Sequence, residues 1–539
     1  MNNLITLFTA LAVSMAIIPV MMRLAPHLGM IDLPDARKVH CQPVPRVGGV
    51  GIVIGALLPV VLWAPATSTI HAYLFGSLAL LAFGVRDDYR ELGHYTKFIG
   101  QFIAVLWVVY YGGLYVSVLP FIHQIPASVG KPFTVFAMVG MINAINHSDG
   151  LDGLAGGLSM LSLICIAYLG FRAHSDAVLA LSTATMGGIL GFLRYNTYPA
   201  MVFMGDGGSQ FLGFTLAFLV ILLTQDANPT LSHAIPALIL GLPIIDILGV
   251  LGQRVYHRMN WFRATKNHIH HRLLDLGFDH YEAVVIIYSI QTLLVISAIA
   301  LRYSADVLVL SLYLGVCAGL FAFLIVAEHR GWRAHKRRSV SRLMKAIHAI
   351  KSHQLLQSVP IYIISTGIPS LFLFVAITAV RVPYEFGVDA VALTAVLLID
   401  LLWAKGGNSL VSRAVSYVTA AFTIYLGTKY GFWPAPFSGA IDIGYFTLLA
   451  AAVGLAIRYM ADTQFQTTPM DYLVIVIVLV AGLLLRGNPQ QAELSTMAVK
   501  LVIIFYGCEI VLTRIKTRWN PINISALIAL VVLGMRGLA

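Results

Sequence analysis

The sequence predicts an all-α polytopic membrane protein, and three observations carry that expectation. Hydrophobic residues make up 58% of the 539 and charged residues only 11%, where an average soluble domain carries roughly 25% charge. Mean hydropathy is +0.83. The apolar residues run continuously, without strand alternation, which excludes a membrane β-barrel. A water-facing surface cannot be built from so few charges, so soluble multidomain, disordered and disulfide-scaffold classes are excluded as well.

About eighteen apolar segments approach the ~20 residues that cross a bilayer as a helix. They centre near residues 14, 56, 78, 108, 138, 162, 185, 214, 242, 292, 317, 370, 396, 421, 449, 478, 504 and 529. About eleven form a core over 1–327 and about seven a C-terminal extension over 359–539. The first segment has no basic residue before it, Arg23 directly after it and no small-residue cleavage pattern. It reads as a retained helix with its N-terminus outside.

Counting from there, the inside loops hold Arg37, Lys38 and Arg46, then Arg86, Arg90 and Lys97, then Arg254, Arg258, Arg263, Lys266 and Arg272. Outside loops such as 119–131 and 225–232 have almost none. The net charge of +11 is therefore read as positive charge held inside against anionic lipid, not as a nucleic-acid surface. Segment 328–358 is basic with Leu343, Met344, Ile347 and Ile350 interleaved, the spacing of an interfacial amphipathic linker helix. All 17 histidines lie at or before His353, which places catalytic-type residues in the first two-thirds. The four cysteines, Cys41, Cys165, Cys317 and Cys508, have no CxxC spacing and read as packing residues, neither a disulfide frame nor a zinc site.

Acidic residues inside apolar segments cost ~2.5–3.5 kcal/mol each at a helix centre, so clusters of them mark candidate sites. Three clusters sit at the inside ends of spans. Asp87 and Asp88 are adjacent, and neighbouring carboxylates repel unless a cation or proton lies between them. Asn143, Asn146, Asp149 and Asp152 recur every three residues, which on a helix makes one slowly rotating polar stripe. Glycines at 150, 153, 156 and 157 let backbone approach a ligand closely. Asp206 precedes Gly207, Gly208, Ser209 and an apolar helix; such a turn presents free N–H groups to a phosphate, and Asp206 can complete a magnesium site there. A fourth cluster is cationic: His268, His270 and His271 between Lys266 and Arg272. Its spacing differs from the i, i+4 pair of a helical zinc site and suits a grip on a pyrophosphate or sugar. Solvated helix ends, Asx turns, a capped helix start and an ordinary loop are the plain alternatives for these stretches.

Together the clusters imply an anionic phosphorylated substrate pair at a membrane edge, chemistry that needs positioning and charge neutralisation. A transporter or lipid flippase without chemistry is the rival reading. It predicts acids at mid-bilayer, whereas these gather at one face.

Taken in this order, and with "DLPDARKVHCQPVPRVGG" in the first inside loop, the motifs resemble the polyprenyl-phosphate N-acetylhexosamine-1-phosphate transferases. The likeness covers about 1–327 and is nearest the group that starts bacterial envelope polysaccharides, lipopolysaccharide O-antigen and teichoic acids. It implies transfer of N-acetylhexosamine 1-phosphate, N-acetylglucosamine foremost, from a UDP-sugar to undecaprenyl phosphate with release of UMP. It also implies Mg2+ (or Mn2+), membrane lipid as surroundings, a homodimer as candidate assembly, and a cytoplasmic-side site in the bacterial inner membrane. By the resemblance Asp87, Asp88 and Asp206 are catalytic, and Asp206, Asn146 and Asp88 hold the metal. Lys97, Asn143, Asp149, Asp152, His268, His270, His271 and Arg272 bind substrate. Thr265 and Lys266 stand where the group commonly has an Asp-Arg pair, and lysine lacks arginine's bidentate fork. Asp246 is expected to be structural in the site wall. Residues 359–539 have no counterpart; there Asp400 and Glu509 are expected to snorkel or to pair with Lys405 or Arg514.

Overall fold

The computed structural model describes residues 2–34, 43–90, 92–122, 124–256, 258, 267–334, 354–403, 409–430, 438–459, 489–515 and 517–539. Thirteen described helices are long and apolar enough to cross a membrane, so the chain is an all-α multi-pass membrane protein. Four more of the predicted segments are helices too: the shorter Gly48–Trp63 and His94–Leu106, the interrupted pair Ile235–Ile239 and Gly241–Tyr256, and the 21-residue, less apolar Leu410–Tyr430. The segment predicted near 478 lies outside the described residues, as do Arg37, Lys38, Arg263, Lys266 and most of the 328–358 linker. Cys165, Cys317 and Cys508 are free thiols, and Cys41 is outside the described residues.

The described chain falls into two compact units, one within Met1–Arg337 and one within Arg338–Ala539. The first unit runs α1 (Asn2–Leu24), a two-residue hairpin pairing β1 (Ile31–Asp32) with β2 (Val44–Pro45), α2 (Gly48–Trp63), α3 (Ser68–Tyr89), α4 (His94–Leu106), α5 (Ala127–Ser148), α6 (Leu154–Arg172), α7 (Asp176–Asn196) and α8 (Gly205–Ile221). Then come α9 (Ile235–Ile239), α10 (Gly241–Tyr256), α11 (Ile269–Asp275), α12 (His280–Ala300) and α13 (Asp306–His329). Helix α8 is the axis of this unit. Its spanning stretch is wholly buried, and it packs on α2, α3, α5 and α6. A helix apolar all round belongs in such a place, and Phe211, Phe214 and Phe218 fill the space around it, with Tyr73 stacked on Phe214 at 5.7 Å.

Glycines let the helices meet at the N-terminal end of α8. A Cβ on Gly84 of α3 would lie 2.2 Å from Gly207 Cα, and one on Gly49 of α2 would lie 2.3 Å from Gly208 N. These are backbone atoms that cannot swing aside. Gly84→Ala is therefore expected to cost about 1–3 kcal/mol by overpacking. Gly140→Ala, where nothing lies within 4 Å, is expected to leave stability unchanged. Thermal unfolding of the two variants in detergent checks this, and equal midpoints would contradict it.

The second unit comprises α14 (Gln354–Thr378), α15 (Tyr384–Trp403), α16 (Leu410–Tyr430), α17 (Ser438–Tyr459), α18 (Pro489–Arg514) and α19 (Pro521–Leu538) among the described residues. Its core gathers Ile364, Phe372, Ile504, Cys508 and Leu530. Glu509 pairs with Arg413 and Tyr417, not with the Arg514 expected from sequence. Arg514 stands five residues on, past the i+3 and i+4 positions that share a helix face, whereas α16 brings Arg413 across. Asp400 accepts a hydrogen bond from Ser409 Oγ at 2.6 Å, and Lys405 lies outside the described residues.

Candidate active site

Four helix ends of the first unit meet at one end of the bundle: the C-termini of α3 and α5 and the N-termini of α4 and α8. The Lys97 ammonium, one turn into α4, sits between two carboxylates, 2.7 Å from Asp87 Oδ2 and 2.6 Å from Asp206 Oδ2. Asp87 is nearly buried, and its Oδ1 accepts the Leu92 N–H at 2.6 Å. Asn146 Nδ2 donates to Asp206 Oδ1 at 3.1 Å and to Ser209 Oγ at 2.8 Å. Asp88 turns the other way and caps α8. Its Oδ1 accepts the Asp206 N–H at 3.1 Å and its Oδ2 the Gly207 N–H at 3.5 Å. These are orphan donors of a helix start, where a negative charge is favoured. Gly205 has φ +72°, and a Cβ there would lie 2.5 Å from Asp88 Oδ2. Only glycine fits this turn without strain.

The segment before Asp206 is fixed by the first loop. Gly48 N–H donates to the Phe203 carbonyl at 2.9 Å, Gly49 N–H to the Met204 carbonyl at 2.7 Å, and Phe203 N–H to the Pro45 carbonyl at 2.8 Å. Arg46, between these contacts, pairs with Asp32 across the hairpin.

One turn below the charges lies a layer of amides. Asn143 Nδ2 donates to Gln101 Oε1 at 2.8 Å, and Gln101 Nε2 reaches Gln210 Oε1 at 3.4 Å. Gln101 and Gln210 were missed by sequence reasoning. The signal was available: Gln101 is four residues after Lys97 and Gln210 four after Asp206, both in otherwise apolar helices. Such i, i+4 pairs share a helix face.

The polar stripe is not one helix face. Helix α5 stops at Ser148, and Gly150 and Gly153 (φ +77°) carry the chain through a turn. Asn143 and Asn146 stay on the helix. Asp152 leaves the cluster, and its Oδ2 accepts the Ala200 N–H at 2.9 Å. Asp149 is half-buried next to the turn; desolvation first, then the like charges of Asp206 and Asp152, push its carboxyl up to about 7. A carboxyl raised on folding stabilises the fold below its unfolded value near 4, and that contribution is lost as pH rises through about 7. Asp149→Asn is expected to flatten the dependence of the unfolding midpoint on pH between about 4 and 7. An unchanged slope would contradict it.

Across the α5 end stand the histidines. His268 Nδ1 lies 2.8 Å from Asp246 Oδ2, and the Ile269 N–H donates to Asp246 Oδ1 at 2.7 Å. Asp246 thus both orients the ring and ties down the first residue of α11. His147 stacks on His268 at 5.3 Å, His268 on His270 at 5.8 Å, and His271 meets His270 at 4.2 Å. His270 is buried on Gly150, where a Cβ would lie 2.2 Å from Nε2. Burial and then the neighbouring His271 push its imidazole down to about 3, so it is neutral at physiological pH. Arg272 forks onto Glu328 with Nε at 2.7 Å and Nη2 at 2.9 Å, anchoring α11 to the end of α13. Glu328 was the other partner that sequence reasoning missed. The end of α5 and the turn after it are the shared wall: Asn146 faces Asp206 while His147 and, in the turn, Gly150 face the histidines.

Among the described residues no three His, Cys, Asp or Glu side chains form a metal cage. The donors nonetheless fit a hard cation that takes one or two carboxylates and completes its shell with phosphate and water. Asp87 and Asp206 turn oxygens onto one point, now held by the Lys97 ammonium, with the Asn146 amide beside them.

Comparison with known proteins identifies the family. The family described as Glycosyl transferase family 4 matches residues 70–224, a stretch that includes both aspartate ends and the α5 turn. A probable undecaprenyl-phosphate N-acetylglucosaminyl 1-phosphate transferase of Bacillus subtilis is 34% identical over 348 residues, 64% of this chain and 95% of that protein. An undecaprenyl-phosphate alpha-N-acetylglucosaminyl 1-phosphate transferase of Haemophilus influenzae is 31% identical over 278 residues, covering 50% and 78%. A decaprenyl-phosphate N-acetylglucosaminephosphotransferase of Mycobacterium tuberculosis is 33% identical over 325 residues, covering 53% and 78%. With 34% identity over 95% of the first relative, the chain belongs to the polyprenyl-phosphate N-acetylhexosamine-1-phosphate transferases.

Proposed function

We propose that this enzyme transfers N-acetylglucosamine 1-phosphate from its UDP-sugar to undecaprenyl phosphate, releasing UMP. In this reading it works on the cytoplasmic face of a bacterial inner membrane, and the product initiates an envelope polysaccharide. The observation that supports the reading most is the Lys97 ammonium bound by both Asp87 and Asp206 at a helix N-terminus. Opposite charges are brought together at a helix N-terminus, where a diphosphate is to be held. The relatives' names supply the two substrate classes.

The lipid phosphate attacks the β-phosphorus of the UDP-sugar directly, and the bond to UMP breaks. Asp206, with Asp87 and Asn146 beside it, would hold magnesium, which when bound neutralises the diphosphate and the departing UMP. Asp88, expected from the resemblance to join them, instead spends both oxygens on the Asp206 and Gly207 N–H groups. Lys97 adds a positive charge beside that group. Asp87, fixed by Leu92 and Lys97, takes the proton of the lipid phosphate. Neutral His270, with His268 and His271, lines the sugar-nucleotide side, and Arg272 keeps α11 in place through Glu328. Asn143, Asp149 and Asp152 hold the α5 end and its turn against the nucleotide.

An exchange assay tests the proposal. Purified protein in detergent receives radiolabelled UMP, Mg2+ and lipid-linked N-acetylglucosamine. Label is expected in UDP-N-acetylglucosamine, and its absence would overturn the reading. A burst of UMP from UDP-sugar without lipid acceptor would overturn direct displacement in favour of an aspartyl-phosphate route.

A further inference from the structure

The second unit contains a cavity of about 290 Å3 lined by Phe386, Ala421, Phe422, Tyr425, Met497 and Leu501. It lies among α15, α16 and α18. Phe386 stacks on Tyr425 at 5.2 Å and meets Phe422 at 4.6 Å, so one wall is a set of aromatic faces. The small side chains of Ala421 and Ala498 leave the room. The polar boundary is at one end. Lys429, exposed one turn beyond Tyr425 on α16, donates to the Tyr425 hydroxyl at 2.9 Å, and its ammonium lies 5.3 Å from the ring centroid.

An apolar cavity offers water no partners, and one of about 150 Å3 takes a benzene-sized group. This one takes about two five-carbon branched units by the same measure. A cation at the mouth of an apolar cavity in a membrane protein is complementary to an amphiphile with an anionic head. Aromatic faces and alanine-sized recesses suit a methyl-branched chain.

We infer that this cavity holds part of the isoprenoid chain of a polyprenyl phosphate, with Lys429 on the phosphate. It would be a second lipid site, additional to the one the transfer reaction requires. The inference rests on the proposed function in taking polyprenyl phosphate as the lipid that this chain handles.

Photolabelling tests it. Full-length protein in phosphatidylcholine nanodiscs is irradiated with a polyprenyl phosphate carrying a diazirine near the phosphate end of its chain. Labelled peptides are then sequenced by mass spectrometry. Label is expected on the peptides of Phe422 and Met497, suppressed by excess undecaprenyl phosphate and not by phosphatidylglycerol. Ala498→Phe, which fills the cavity, is expected to remove that label. Lys429→Gln, an exposed change that spares the core, is expected to reduce it by about tenfold or more, the loss of one charge-assisted hydrogen bond. Absence of label from α16 and α18, equal suppression by phosphatidylglycerol, or undiminished label in Lys429→Gln would each overturn the inference. UMP exchange is read on the same sample. Exchange without label defeats this inference alone, and label without exchange defeats the transferase reading alone.

Discussion

Asp206→Asn is expected to lower UMP exchange by about a thousandfold while leaving the fold intact. Asparagine keeps the shape of aspartate, so contacts of the α8 start with Asn146 and Ser209 survive. What goes is the charge. Phosphoryl transfer depends almost wholly on positioning and electrostatics, and removal of a single well-aimed stabilising group costs about 10²–10³ in rate. Asp206 carries more than one such group's share. It accepts from Lys97 at 2.6 Å and from Asn146 at 3.1 Å, and it stands at a helix N-terminus that favours its negative charge. The exchange rate and the thermal midpoint of the purified variant are measured together. Activity near the unaltered level would remove Asp206 from the proposed metal site.

Lys97→Met is expected to be the second most severe change, with exchange lowered by about a hundredfold or more and stability lowered too. The lysine is the cation between Asp87 and Asp206. Without it two carboxylates face one another across the site. Breaking a fully buried pair costs about 3–5 kcal/mol. The Lys97 side chain retains 30% exposure, so solvent screening brings the expected loss to about 1–3 kcal/mol. Lys97→Arg is expected to recover stability more than rate, because a planar fork cannot take the place of a point charge between two oxygens. Denaturation in detergent and the exchange assay separate the two effects. A Lys97→Met protein as stable and as fast as the unaltered chain would show that the ammonium neither pairs nor acts.

Most of the fold was legible in the sequence because a bilayer imposes a simple rule. Every predicted segment outside the undescribed stretches coincides with a helix, although the one near 242 is broken into Ile235–Ile239 and Gly241–Tyr256. The carboxylates were legible for the complementary reason, that charge in an apolar chain is costly. What periodicity could not show was direction. Asn143, Asn146, Asp149 and Asp152 look alike at a spacing of three, yet Gly150 and Gly153 end the helix between them and send Asp152 to the Ala200 N–H. Nor could spacing show that Asp88 caps α8 while its neighbour Asp87 meets Lys97. Pairings across long separations, such as Glu328 with Arg272 or Asp246 with His268, have no local signature at all.

The hydrogen bonds from Gly48 and Gly49 to the carbonyls of Phe203 and Met204 have a consequence for biogenesis. At about 5–20 residues per second, a ribosome needs on the order of ten seconds to pass from one strand of that clasp to the other. Until then the nascent α2 is inserted without its finishing contacts. The reactive end of the bundle therefore cannot be assembled until seven helices, α1 to α7, have been made, and a chain released before Asp206 has been translated holds membrane helices but no means of catalysis.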